Sequence, residues 1–163
     1  MRVYLPATLD ALRTLARDGV WSPGRPGHTV TAGLRHADPD GDRDSWEFEA
    51  FCDAAVASLR LLLARPDAAP DRRVVVSADV DDAGVQPAAE PTVASAVTVQ
   101  RAVHLDDVAA VHLDGQEATE LLRRARAGET GQTLAEEALS EVALEWYDPS
   151  ELDVVLRRTG HTP

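Results

Sequence analysis

Arg72-Arg73-Val74-Val75-Val76-Ser77-Ala78-Asp79-Val80 is the stretch on which the fold turns. Val74, Val76, Ala78 and Val80 alternate onto one face of a strand, and Val75 adds apolar character to the other. A strand that is apolar on both faces is predicted to run through the middle of a sheet and to be covered from both sides.

Working back towards the start, residues 2–6 read as a short strand, with Val3 and Leu5 on one face and Tyr4 on the other. Thr8 can cap a helix whose apolar stripe is Leu9, Leu12, Leu15 and Ala16, with Gly19 as its stop. Residues 20–27 hold two prolines and two glycines and read as loop. Residues 28–30 read as extended, and Thr31 as the cap of a short helical turn through Arg35. An acidic linker, 36–44, follows. The longest helix is then expected from Asp44, with Glu47 completing a capping box. Its stripe is Phe48, Phe51, Cys52, Ala55, Leu59, Leu62 and Leu63, read as facing the core, and Pro66 is its stop.

Working forward, residues 81–91 form a loop with two prolines, 92–103 a strand, and 108–113 a further strand expected to pair antiparallel with it. Asp114…Glu117, Thr133…Glu136 and Asp148…Glu151 repeat the signature of a capping residue with glutamate three places on. Pro149 adds the favoured first helical position. Residues 128–131 separate the first two of these helices, and 143–147 fit either a last strand or a helix tail. The order strand, helix, helix, strand, strand, strand, helices predicts a single α+β domain over 1–163. Its mostly antiparallel sheet would have about four to five strands and carry helices on one face. A parallel, doubly wound sheet would need stricter strand–helix alternation than the middle of the chain has.

Composition narrows the chemistry. Lysine, isoleucine and asparagine are absent and arginine occurs 16 times, a bias expected of a GC-rich genome. Without lysine there is no phosphate-loop lysine and no Schiff-base chemistry. A net charge of −12 disfavours nucleic acid, and the clusters Arg72-Arg73, Arg123-Arg124-Arg126 and Arg157-Arg158 read as solvated charge. The one cysteine, Cys52, rules out an internal disulfide or a multi-cysteine metal site, and on the apolar stripe it reads as buried and inert. No stretch is long and apolar enough for a bilayer, and the opening residues lack the apolar core of a signal peptide, so a cytoplasmic protein is expected.

Candidate sites are sparse. Asp38-Pro39-Asp40-Gly41-Asp42-Arg43-Asp44 fails the calcium-loop pattern in both registers: one puts Arg43 where glycine belongs, the other His36 where aspartate belongs. Residues 128–133 lack the spacing and the lysine of a phosphate loop, there is no G-x-S-x-G, and no metal or cofactor is expected. His112 and Asp114 share a strand face, and Asp79 lies on another strand, so a carboxylate–histidine group could assemble across the sheet. Tyr4, Thr31, Arg35, Asp79 and His112 are the candidates for a polar pocket at the sheet edge. Arg35 would hold an anionic substrate there and His112 would move a proton. Trp146-Tyr147, and Trp21 in its Pro/Gly loop, are the candidates for a protein-partner surface.

Several segments carry a resemblance: Met1-Arg2-Val3-Tyr4-Leu5-Pro6-Ala7-Thr8-Leu9, Val30-Thr31 with Leu34-Arg35, residues 54–62, residues 73–80, Val108–Leu113 with Asp114, and Glu145-Trp146-Tyr147. Together they resemble an uncharacterised family of small proteins from high-GC actinobacteria, a domain of unknown function. The opening Arg-Val-Tyr-Leu-Pro run is the most distinctive part. The resemblance implies a cytoplasmic actinobacterial protein and brings no functional residue with it. The expectation is therefore a non-catalytic binding or regulatory domain for a protein partner. The alternative is a small enzyme acting on an anionic small molecule. The oligomeric state is left open.

Overall fold

The computed structural model describes residues 1–64, 72–127, 137–139 and 141–159. Pro66, the turn at 128–131, the Thr133…Glu136 cap and His161 lie outside them. Among the described residues seven strands form one antiparallel sheet in the order β5-β6-β3-β1-β4-β8-β9, and β2 and β7 make a separate two-stranded ribbon. The strands are β1 Arg2–Ala7, β2 Val20–Trp21, β3 Arg25–His28, β4 Val74–Asp79, β5 Val85–Pro87, β6 Ala96–Val99, β7 Val103–His104, β8 Val108–Leu113 and β9 Glu145–Tyr147. The α+β class and the antiparallel sheet are as the sequence predicts; the sheet is wider than the expected four to five strands. As expected, β4 is internal, with β1 on one side and β8 on the other.

The extra strands sit where prolines and glycines suggested loop. β3 contains Pro26 and Gly27, and β5 lies inside the 81–91 stretch. Tyr4 pairs with His28, and the same register carried two residues on sets Pro6 opposite Pro26. Neither has an N–H to give, so the ladder between β1 and β3 stops there, while both strands keep their other partners. The expected strand over 92–103 divides into β6 and β7, which join different sheets. β8 does not pair with its predecessor in the chain; it lies between β4 and β9.

Helices cover both faces of the sheet, not one. On the first face α1 (Leu9–Asp18) and α5 (Leu152–Thr159) pack Leu9, Leu12, Leu15, Leu152 and Val155 onto Val3, Leu5, Val74, Val76, Val111 and Leu113. Each such aliphatic side chain removed from water is worth about 1.5–3 kcal/mol. Thr8 caps α1 by accepting from Ala11 N–H, and Gly19 ends it in the left-handed region at φ 71°. The second face is crossed by α3 (Arg43–Leu63), preceded by the short α2 (Ala32–Ala37) that Thr31 caps. The start of α3 lies two residues before the Asp44 reading. Asp42 is its N-cap, and Ser45 supplies the reciprocal bond that Glu47 was expected to make.

Ser58 fixes α3 to the sheet. Its hydroxyl donates to Ala7 C=O at 2.7 Å and accepts from Val74 N–H at 2.9 Å. The C-terminal half of α3 then packs Leu59 and Leu62 against Ala118 and Leu122 of α4 (Gln116–Arg126) and against Leu139.

Candidate functional site

Strand parity decides which side chains face α3. Tyr4 on β1 pairs with Ser77 on β4, and Ser77 with Ala110 on β8. One step along, Val75 pairs with His112, and His112 with Trp146 on β9. Residues paired directly across an antiparallel ladder point to the same side. This is the side opposite Val3, Val74, Val76 and Val111, so the polar members Tyr4, Ser77 and His112 gather on the face that α3 crosses.

α3 packs against β1, β3 and β4 but leaves β8 and β9 largely uncovered. The uncovered corner is a cleft of about 630 Å³. Its floor is Tyr4, Ser77, Ala110, His112 and Trp146. Glu47, Phe48, Phe51, Cys52, Ala55 and Val56 of α3 form one wall, residues 141–144 with Arg73 close one end, and Arg2 stands at the other. The stripe of α3 read from sequence as core is thus two surfaces in series. Leu59 and Leu62 are buried, while Phe48, Phe51 and Cys52 line the cleft, with Phe48 66% exposed.

Of the charged groups that line the cleft, Arg2, Glu47 and Arg73 are matched, and Glu141 stands exposed at the end wall. Arg2 holds Asp79 through two parallel bonds of 2.8 and 2.9 Å. Glu47 accepts from Arg43 at 2.7 Å. Arg73, 3% exposed, and Asp114, 0% exposed, form a buried ion pair at 2.7 Å. Arg73 also donates to the carbonyls of Leu139 and Val142, tying down the segment that ends the cleft. Arg73 is therefore not solvated charge. Arg72 Nη1 bonds Asp114 C=O, and the Asp114 carboxylate, expected to cap a helix, is turned to Arg73.

His112 Nε2 lies 3.1 Å from Ser77 Oγ, and its ring meets Phe51 at 4.7 Å between centroids, 62° between planes. Burial, with a smaller push from the Arg2 charge, lowers its pKa to about 4, so the imidazole is neutral at pH 7. Phe51 meets Tyr4 edge-on at 5.9 Å. Burial and the neighbouring Glu47 carboxylate raise the Tyr4 phenol above its ordinary value. Cys52, only half-buried, has its thiol pushed up by burial and by Glu49 and Asp53, which opposes a reactive thiolate.

The five polar-pocket candidates do not converge. Tyr4 and His112 line the cleft, and Asp79 reaches it only through Arg2. Thr31 caps α2 and donates to Ala94 C=O, and Arg35 stacks over Trp46 at 5.8 Å beside a separate, smaller hollow. Asp114, bound to Arg73, is not part of a histidine–carboxylate group with His112. Of the aromatic candidates, Trp21 is 1% exposed, with its indole N–H on Ala11 C=O and Arg25 stacked 4.1 Å away, so it belongs to the core and offers no surface. Trp146 and Tyr147 are strand neighbours and part company. Trp146 faces the cleft and is 58% exposed, while Tyr147 packs towards α5 and its hydroxyl donates to Glu145.

Sequence reasoning missed Phe48, Phe51 and Ser77 as cleft residues. Ser77 had a readable signal, since it shares strand parity with Val75 and opposes Val74 and Val76. The two phenylalanines had none that separates a covered stripe from an uncovered one.

A second polar cluster lies behind α3. Ser95 donates to Asp53, and His28 Nδ1 is 2.8 Å from the same hydroxyl. With the serine proton committed to Asp53, Nδ1–H of His28 is the donor, and the buried serine is a link between strand and helix, not a nucleophile. Among the described residues no group of three or more His, Cys, Asp or Glu side chains could hold a metal ion, and no helix is long and apolar enough to cross a membrane.

No curated protein and no solved structure matches the chain. A family model does, across residues 1–156, and its span takes in every strand and wall of the cleft. The chain therefore belongs to the family of unknown function DUF6912.

Proposed function

We propose that this protein is a non-catalytic binding domain whose cleft takes a small, largely apolar ligand. One observation carries the reading: Phe48 and Trp146, both well exposed, stand at the mouth of a cleft whose two arginines are already paired and whose one unpaired charge, Glu141, lies in water at the end wall. Large apolar side chains that stay in water beside a concave apolar surface mark a binding site more often than a packing error. The volume suits a ligand of drug-like size, for which pockets run to about 300–1,000 Å³.

The enzyme reading loses its parts. Arg35, the intended anion clamp, is elsewhere, and Arg2 and Arg73 are spent on Asp79 and Asp114. A histidine with a pKa near 4 is a weak base and holds no proton to give at neutral pH. The protein-partner reading keeps one support: Phe48 and Trp146 project past the cleft and would seat an apolar side chain of a partner.

Titration with Nile red, an uncharged dye that brightens in apolar surroundings, tests the first reading. The wild-type cleft should bind it, and Phe48→Ser together with Trp146→Thr should weaken binding at least about tenfold, equivalent to about 1.4 kcal/mol. Equal binding by the double variant would place the dye elsewhere and defeat the proposal.

A further inference from the structure

On the floor of the cleft the imidazole of His112 has a ring nitrogen without a partner, set deeper than the exposed indole N–H of Trp146. His112 spends Nε2 on Ser77, and among the described residues no protein atom bonds Nδ1. Nor is Nδ1 sealed off: among the described residues the buried side-chain nitrogen or oxygen without a partner is Arg25 Nε, beside Trp21 on the opposite face of the sheet. His112 lines the cleft, so Nδ1 opens into it. Beside it Ala110 presents only a methyl group to the cleft.

A neutral imidazole has one N–H and one lone pair. Ser77 can take either side of its bond to Nε2, because a hydroxyl both donates and accepts. If Ser77 donates, Nδ1 carries the proton; if Ser77 accepts, Nδ1 offers its lone pair. The pair can therefore adapt to a ligand hydroxyl or to a ligand carbonyl, at the cost of one hydroxyl rotation.

Charge is excluded from that position by two further facts. An ionised head on His112 would meet no buried counter-ion, because Arg2 is held by Asp79, Arg73 by Asp114, and the unpaired Glu141 stands exposed to water in the end wall. It would also be stripped of water by the rings of Phe51 and Trp146, and an unpaired buried charge is far costlier than an unpaired hydroxyl. The net charge of −12 adds a general repulsion of anions. The surrounding walls are aromatic, and flat rings recover the most contact against them.

We infer that the cleft selects an uncharged aromatic compound bearing one hydroxyl or amide-like group, with its rings against Phe48, Phe51 and Trp146 and that polar group bonded to Nδ1 of His112. The inference rests on the binding reading above and adds the chemistry of the ligand to it.

Calorimetric titration of the whole chain with naphthalene, 2-naphthol, 2-naphthoate and 1-naphthylmethylammonium separates the two. 2-Naphthol should bind about tenfold more tightly than naphthalene, the increment of one hydrogen bond, and both ions should bind more weakly than naphthalene. In His112→Phe the ratio of the two affinities should fall to about one, whatever the new ring does to both together. Nitrogen NMR of the wild-type imidazole gives a reading that needs no variant: 2-naphthol should shift Nδ1, and naphthalene should leave it in place. No preference for 2-naphthol, a preference that survives in His112→Phe, or tightest binding by either ion would overturn the inference while leaving the binding domain standing. Silence from all the probes would remove both.

Discussion

The two faces of the sheet are built from the same strands and end differently. On the α1 and α5 side β1, β4, β6 and β8 contribute aliphatic residues, and two helices close over them until Val3, Leu12, Leu15, Val74 and Val76 are shut off from water. On the α3 side the same strands contribute Tyr4, Ser77 and His112, and one helix covers only part of the width. An aliphatic surface has one good use, which is to be covered. A face of rings and hydroxyls tolerates partial exposure, and the residue left uncovered there is a site. The contrast teaches that closure was achieved once, and that the second face was completed by a charged clasp at one end instead of by more apolar packing.

That clasp is where the comparison is easiest to break. Arg73 reaches from the start of β4 to Asp114 and to the carbonyls of Leu139 and Val142, so a single guanidinium holds the end wall of the open face. Arg73→Met leaves the Asp114 carboxylate buried without its counter-charge, holding only the backbone N–H of residue 73, and such half-removed pairs cost about 3–5 kcal/mol. The expected result is a loss of that size in urea unfolding. Arg73→Met with Asp114→Leu should recover most of it, because two matched apolar groups need no partner. A single variant within about 1 kcal/mol of wild type would mean that the clasp does not hold the open face together.

Much of the closed face was legible in the sequence and much of the open face was not. Strand β4 announces itself because a run apolar on both sides has few other fates. Thr8, Thr31 and the Asp148…Glu151 box mark helix starts by local chemistry alone, and each makes its bonds. The cleft depends on pairings between distant residues. Arg73 and Asp114 are 41 positions apart, and nothing local distinguishes their bond from a solvated arginine and a capping aspartate. β3 and β5 look like loop because proline and glycine are counted against strands, yet a proline is harmless where its missing N–H faces no partner. The stripe of α3 is the instructive case. Periodicity finds an apolar face, and it is silent on whether anything lies against that face.

A smaller effect, in pH, sharpens the contrast between the faces, because the two histidines that burial holds below their ordinary value are on the α3 side. His112, lowered to about 4, and His28, lowered chiefly by burial and partly offset by Asp53, are both neutral in the fold. Unfolded histidine titrates near 6.5. Between about 6.5 and 4 the unfolded chain therefore takes up protons that the folded chain refuses, and stability falls as pH falls through that window. His112 alone should account for about 2–3 kcal/mol of the loss, after allowance for its remaining contact with water. Urea midpoints at pH 7 and pH 4.5 should differ accordingly in wild type, and by clearly less in His112→Phe. Parallel profiles would show that the imidazole is not desolvated and that this face is wetter than its geometry implies. The aspartates lowered by hydrogen bonds, Asp42 and Asp79 among them, act below their ordinary range near 3.8, outside most of that window.

The smallest expected effect is the most diagnostic. If the α3 face is a site and not an unfinished core, its two most exposed rings contribute binding and almost no stability. Phe48→Ser exchanges residues of similar helix preference at a position already in water, and Trp146→Thr keeps a strand former on an edge strand. Each should lie within about 0.5 kcal/mol of wild type in urea unfolding, the range of ordinary surface substitutions. Truncation of a packed phenylalanine or tryptophan costs about 3–5 kcal/mol, so the two outcomes are well separated. A loss of more than about 2 kcal/mol in either variant would mean that the rings are packed in solution. The cleft would then be closed, and the second face of the sheet would be a core like the first.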